Sequence, residues 1–218
     1  MTGTDTLGER LRRCYTGVLN DVMRAMGLRN FVLPPEIRLH DRSRPLAGPV
    51  QTVSGHVDEA ADRHTTLFEW TGLLSKAKPG HVLVCQPHTH AVALMGELSA
   101  ETLQRKGVLG YVVDGATRDL AFIEKIGFPI AFRHTTPKDV VGFWLVDGLD
   151  VPIVIGEVRI RPGDYLLADA DGIVVLPKAR AEEIVAEAER AIGTENLIRK
   201  AILEGEDPQQ AYLKYGKF

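Results

Sequence analysis

GELSAETLQRKGVLGYVVDGATRD, residues 96–119, decides the fold. After Gly96, the residues Glu97, Ser99, Glu101 and Thr102 give the polar start of a helix. Gly107 ends it, and the apolar run Val108–Val113 reads as a strand. A tight turn follows and closes on the adjacent pair Arg118–Asp119. That order sets a helix N-terminus, two carboxylates and a guanidinium at the ends of neighbouring elements, where open α/β sheets hold ligands. The implied chemistry is recognition of a small anion together with a divalent cation.

Outward from this stretch, strand and helix alternate. Towards the N-terminus, HVLVCQ (81–86) predicts a strand turned in by Lys78-Pro79-Gly80, preceded by a helix over 64–77 burying Leu67, Phe68, Leu73 and Leu74. GPVQTVSGHV (48–57) predicts a first strand, and Leu7–Met26 has helical spacing interrupted near Gly17. Towards the C-terminus, Leu120–Ile126 predicts a short helix and Phe128–Phe132 a strand. Alternation of this kind favours a mixed or parallel sheet with helices on at least one face. Beyond Val140 the pattern changes to short strands at 142–146, 152–155, 157–160, 165–168 and 173–176, with no helix between them. They predict a second β layer. Ala179–Leu203 is the longest helical segment, with Gly193 as a kink or break, and Pro208 separates it from a tail carrying Tyr212, Tyr215 and Phe218. Such a tail packs back or meets another subunit.

The totals narrow the function classes. A chain of 218 residues, 44% hydrophobic, can bury one sizeable core, so a single domain over 1–218 is the default. Its formal charge of -3 argues against a nucleic-acid platform and a polybasic membrane surface. No apolar run reaches membrane-helix length and no signal-peptide core opens the chain, so a soluble cytoplasmic protein is expected. Cys14 and Cys85 lack metal or redox spacing and read as reduced, packed thiols. None of the seven histidines forms an HExxH motif, and neither a Walker loop, a GxGxxG after a strand nor a GxSxG elbow occurs.

The remaining polar residues keep two readings each. Asp119 suits a single carboxylate ligand of a largely hydrated Mg²⁺ or Mn²⁺; a surface ion pair or an N-cap for the helix at Leu120 is the alternative. Arg118 can present a donor fork to a 2-oxo acid that chelates the cation, or can face solvent. Glu97 can orient water at the metal while the amides of Leu98 and Ser99 bind a carboxylate, or these residues are ordinary capping. Asp114 reads as a carboxylate supporting the turn. His88 and His90 point one way only if their segment is a strand.

GEL (96–98), GVLGYVVDGATRD (107–119) and RPGDYLLADADGIVVLP (161–177) together resemble the RraA-like family, including its class II 4-hydroxy-4-methyl-2-oxoglutarate / 4-carboxy-4-hydroxy-2-oxoadipate aldolases. The resemblance runs over about residues 10–215 and implies a three-layer swivelling β/β/α domain, assembled as trimers or pairs of trimers through a C-terminal helical tail, with sites between subunits. It further implies that Asp119 is the direct Mg²⁺ ligand and that Arg118 binds pyruvate and stabilises its enolate. Glu97 is implied to reach the metal through water, as is Glu195 from the neighbouring subunit, while Gly96, Leu98 and Ser99 bind the substrate carboxylate. The implied activity is metal-dependent cleavage of a 4-hydroxy-2-oxo dicarboxylate to pyruvate and a second carbonyl product, with oxaloacetate decarboxylation open to the same site. A non-enzymatic regulator of RNA processing is the alternative within the family. HTTP (134–137) and GTEN (193–196) depart from the usual pattern, and the region of His56, Arg63 and His64 is expected to select the substrate's distal group.

Overall fold

In the computed structural model, which describes residues 5–216, the first helical stretch is two helices, α1 (Leu7–Arg12) and α2 (Thr16–Ala25). The chain continues through β1 (Arg38–Leu39), β2 (Leu46–Val57), α3 (Arg63–Lys76), β3 (Val82–Gln86), α4 (Glu97–Arg105), β4 (Gly110–Val113) and β5 (Ala116–Thr117). Next come α5 (Leu120–Ile126), β6 (Ile130–Phe132), β7 (His134–Thr135), β8 (Trp144–Leu149), β9 (Ile153–Ile155) and β10 (Val158–Ile160). The chain closes with β11 (Tyr165–Ala168), β12 (Ile173–Leu176), α6 (Ala181–Leu203) and α7 (Pro208–Tyr215).

β2 organises the sheet because its twelve residues serve three partners. Leu46–Pro49 pairs antiparallel with β11, Val50–Ser54 pairs parallel with β3, and Val53–Val57 pairs antiparallel with β8 across an irregularity at Ser54/Gly55. The sheet order is β1-β6-β4-β3-β2-β11-β12 with β8 also on β2, which curls it into a nearly closed barrel. Strands β2, β3, β4 and β6 run parallel, as the strand–helix alternation predicts.

Three apolar cores correspond to the layers. One lies between the sheet and α3, α4 and α5 and includes Leu73, Leu83, Leu103, Ile123 and Trp144. A second packs the β9–β10 hairpin on the other sheet face, through Ile153, Ile155 and Ile160 against Val82, Val84 and Val112. The third holds α1, α2 and α6 against β11 and β12, with Leu11, Leu19, Leu167 and Ile184 at its centre. This is the expected three-layer β/β/α arrangement, and all five strands predicted after Val140 are present. Of these, however, only β9 and β10 form a separate sheet; β8, β11 and β12 join the sheet of β2 instead of a second layer, because the long β2 offers them its antiparallel edges.

Several expectations are corrected. The break between the first helices falls at residues 13–15, not near Gly17, because the Asp169 carboxylate takes both the Thr16 amide and hydroxyl at 2.7 Å. That carboxylate restarts the helix at Thr16 and Gly17 lies inside it. Phe68 is not buried but 70% exposed, its place in the core taken by Trp70. Gly193 does not break α6, which runs through it. The tail forms α7, packed on α6 with Ala211 buried; Phe218 lies outside the described residues. No helix among the described residues is long and apolar enough to cross a membrane.

Two tests of this packing arise directly. At Gly55 an added Cβ would lie 2.0 Å from Trp144 Cζ2 and 2.4 Å from the Leu145 carbonyl oxygen. Gly55→Ala is expected to cost about 3 kcal/mol and to lower Tm by about 10 °C in a thermal melt. Both cysteines are buried and free, and burial pushes the Cys85 thiol up to about 12 and the Cys14 thiol up to about 11. A thiol reagent at mildly alkaline pH is therefore expected to titrate neither in the native protein and both in denaturant.

Candidate active site

Gly107 and Gly127 set the frame. Both adopt left-handed φ and end α4 and α5, so that each helix can turn at once into β4 or β6. Between them, β5 ends at Thr117 and delivers Arg118 and Asp119 beside the start of α4. Asp119 has φ 57° and ψ 33°, a left-handed conformation in which Asp is among the tolerated residues. Its backbone begins α5, but its side chain does not cap that helix. Instead Asp119 Oδ2 accepts the Glu97 amide at 3.1 Å, and so caps the neighbouring helix α4. A carboxylate there also meets the positive end of that helix.

The close fit explains Gly96. A Cβ at this position would stand 2.6 Å from Asp119 Oδ2 and 3.3 Å from Arg118 Nε. The Arg118 amide donates to the Met95 carbonyl at 2.9 Å, holding the turn against the residue before Gly96. The Arg118 guanidinium stands 3.5 Å from Asp119 and 3.2 Å from Asp139, both carboxylates partly exposed. The amides of Leu98 and Ser99, in the first turn of α4, have no partner among the described residues. They are free donors of the kind that bind anions.

These groups line one cleft of about 400 Å³, with Leu67, Trp70 and Val140 on its apolar wall. Among the described residues that line it, the one cation is Arg118, against the three carboxylates of Glu97, Asp119 and Asp139. The lining thus carries a net charge of about -2 before any ligand enters, which a divalent cation would neutralise. Asp119 keeps Oδ1 outside any hydrogen bond among the described residues. No three His, Cys, Asp or Glu side chains converge among the described residues, so a cation at Asp119 would carry most of its shell as water, as Mg²⁺ does. The donor set fits a hydrated divalent ion.

Of the residues named from the sequence, Gly96, Glu97, Leu98, Ser99, Arg118 and Asp119 all come together here. Glu195 does not line this cleft; it lies on α6, where the Tyr15 hydroxyl donates to it. Asp114 is buried away from the cleft, held by Arg133 and by Gln86 at 3.0 Å. His88 bonds the Gly55 carbonyl at 2.8 Å and His90 stands 3.6 Å from Asp114, so the two do not act on one point. Arg63 and His64 line an adjoining groove that shares Leu67 and Thr71 with the cleft, whereas His56 pairs with Asp147 at 2.6 Å. Asp139 was not legible as a site residue, since nothing in its loop marks it. Trp70 carried one signal: a buried indole N–H needs an acceptor.

The sequence profile described as "RraA-like: Aldolase/RraA" matches residues 16–175, well over half of the chain. The chain belongs to the RraA-like family. A Halalkalibacterium halodurans protein named "Putative 4-hydroxy-4-methyl-2-oxoglutarate aldolase" is 33% identical over 144 residues, covering 64% of this chain and 66% of that one. Protein DlpA of Legionella pneumophila is 25% identical over 216 residues, 95% of this chain but 33% of DlpA. The chain therefore spans under two thirds of the length of these curated relatives. Among solved structures, Streptomyces coelicolor RraAS2, described as an unusual member of the RNase ES inhibitor RraA protein family, superposes with a TM-score of 0.78 at 30% identity. That match covers 90% of this chain and 97% of RraAS2. An uncharacterised Pseudomonas syringae protein shares the fold at a TM-score of 0.82 and 23% identity, over 94% of this chain and 96% of that one. RraA-like proteins thus include members named as aldolases and members named as inhibitors.

Proposed function

We propose that this RraA-like protein is a divalent-metal-dependent lyase that cleaves a 4-hydroxy-2-oxo dicarboxylate to pyruvate and a second carbonyl product. The observation that carries this reading is the Asp119 carboxylate turned onto the first turn of α4 beside Arg118, in a cleft with net negative lining. In the proposed site Asp119 holds the cation, which is Mg²⁺ or a similar divalent ion. Glu97 supports it through water. A cation held there would polarise the 2-oxo group and offset the charge that develops on its oxygen.

The chain's own groups supply the rest. The free amides of Leu98 and Ser99 bind the substrate's 1-carboxylate at the helix start, with Gly96 keeping the approach open. Arg118 donates to the 2-oxo oxygen, and its donors strengthen as that oxygen becomes an enolate. The C4 hydroxyl proton passes, through water oriented by Glu97, to the Glu97 carboxylate. The C3–C4 bond then breaks, its electron pair remaining on the pyruvyl fragment as the enolate, which is protonated at C3. Oxaloacetate decarboxylation yields the same enolate and is open to the same residues. Arg63, in the adjoining groove, is the group proposed to meet the distal carboxylate. Residues 1–218 are proposed to act as one unit that assembles as a trimer or a pair of trimers through α6 and α7, so that Glu195 reaches the cleft of a neighbouring copy.

A coupled assay for pyruvate from 4-hydroxy-4-methyl-2-oxoglutarate tests this. Turnover is expected with Mg²⁺, to be lost in excess EDTA, and to fall at least about a hundredfold in Arg118→Ala. Turnover that ignores both EDTA and the substitution overturns the reading. The similarity to RraAS2 supports one other reading, a protein-binding regulator of RNA processing. It is the conclusion if no 2-oxo acid is turned over and the protein instead inhibits a ribonuclease E-type enzyme.

A further inference from the structure

The hydroxyl of Ser99, third residue of α4, is engaged on one side only. Trp70, a buried residue of α3, donates its indole Nε1–H to Ser99 Oγ at 2.9 Å. A hydroxyl oxygen that accepts keeps its own proton to give. Within a helix that proton usually returns to the carbonyl four residues back, here Met95. That carbonyl already takes the Arg118 amide at 2.9 Å and the Thr117 hydroxyl at 3.0 Å. Ser99 Oγ donates to no group among the described residues. Ser99 lines the cleft, in the same first turn as the two free amides.

The indole is itself held. Its ring meets Trp144 edge-on, with centroids 6.0 Å apart and planes at 74°, and the Trp144 indole is anchored by donation to the Pro87 carbonyl at 2.9 Å. Trp70 therefore has little freedom to turn its N–H away from Ser99.

We infer that Trp70 is a positioning residue that makes the Ser99 hydroxyl a third donor for the substrate's 1-carboxylate, beside the amides of Leu98 and Ser99. The inference rests on the reading that this cleft takes a 2-oxo acid. Without the indole N–H, the hydroxyl can rotate and present a lone pair to the anion instead of a proton. The contact is made to the carboxylate, which does not change charge during the reaction. Its loss therefore falls on binding of substrate and transition state alike, raising KM and sparing kcat.

Calorimetric titration of the full chain with pyruvate in the presence of Mg²⁺ gives the test, using wild type, Trp70→Phe, Ser99→Ala and the double variant. Phenylalanine keeps an aromatic wall and removes only the donor and some volume. Each single variant is expected to bind about tenfold more weakly, and the double variant no more weakly than either single one. In turnover, KM rises by the same factor while kcat stays within about twofold. Unchanged affinity in Trp70→Phe, losses that multiply in the double variant, or a fall in kcat at constant KM each overturn the inference. Should Trp70→Phe fail to fold, Ser99→Thr against Ser99→Ala decides. Thr retains both the acceptor and the proton and is expected to bind as wild type, whereas equal binding by all three proteins overturns the role. If wild type neither binds pyruvate nor releases it from the aldol, the lyase reading itself fails. Tight binding by wild type and equally tight binding by the variants removes the roles of Trp70 and of the Ser99 hydroxyl but leaves the lyase reading standing.

Discussion

Asp119→Asn is expected to lower the rate of pyruvate release by about a thousandfold while the protein folds as before. The variant separates the two tasks of this side chain. Asn tolerates the left-handed backbone that Asp119 adopts, and its amide oxygen can still accept the Glu97 amide. What it removes is the negative charge, and with it the anionic ligand proposed for the cation. Activity measured over a series of Mg²⁺ concentrations, with a thermal melt alongside, reads both tasks. A melt within a few degrees of wild type together with lost turnover supports the assignment. Turnover near the wild-type rate at any Mg²⁺ concentration removes Asp119 from the mechanism. Asp119→Ala is the less informative change, because it deletes the cap of α4 and strains the turn as well.

The second large effect is expected from the smallest substitution. Gly96→Ala is expected to reduce kcat/KM by about a hundredfold without unfolding the protein. Gly96 has φ -144° and ψ -176°, an extended backbone open to any residue, so the substitution adds no conformational strain. The added Cβ would instead meet Asp119 Oδ2 at 2.6 Å and Arg118 Nε at 3.3 Å. Neither group can stay where it is, and both are proposed to touch the ligand. Displacements of about an ångström in such positions are enough for a loss of this size. Steady-state kinetics on the purified variant, with its Tm, provides the check; wild-type kcat/KM in Gly96→Ala shows that the close approach has no functional weight. The contrast with Gly55→Ala is informative, because there the added carbon meets the core and stability is the quantity expected to move.

How far the site was legible depends on the range of the contact concerned. Arg118 and Asp119 are adjacent in the chain, at the end of a run whose strand character follows from composition, so their joint placement at an element end could be read directly. That Gly96 and Glu97 lie against them is a pairing across 22 residues. Residue order sets these ends close together, but the hydrogen bond between them is a tertiary contact. Asp139 had no such signal. Its carboxylate reaches Arg118 from a loop whose path is fixed by the packing of β8 on β2 and α3. Phe68 and Trp70 show the same limit: two aromatic residues two positions apart on one helix cannot both face the core, and spacing alone did not say which would.

From its sequence alone this protein has the order of its main helices and strands, a mixed or parallel sheet at its centre, the five short strands after Val140 and its membership of the RraA-like family. Helix α5 and strands β11 and β12 lie within the limits read from residue order. These features follow from hydrogen bonds and apolar periodicity among near neighbours, which any window of the chain contains. Only the tertiary structure decided where the first helix restarts, which helix the Asp119 carboxylate caps, and which hydroxyl the Trp70 indole holds. Each of those is a polar group meeting a partner 22 to 153 residues away. Such a pairing is set by how the layers pack, because a buried or half-buried donor takes whatever acceptor the packed layers bring within reach.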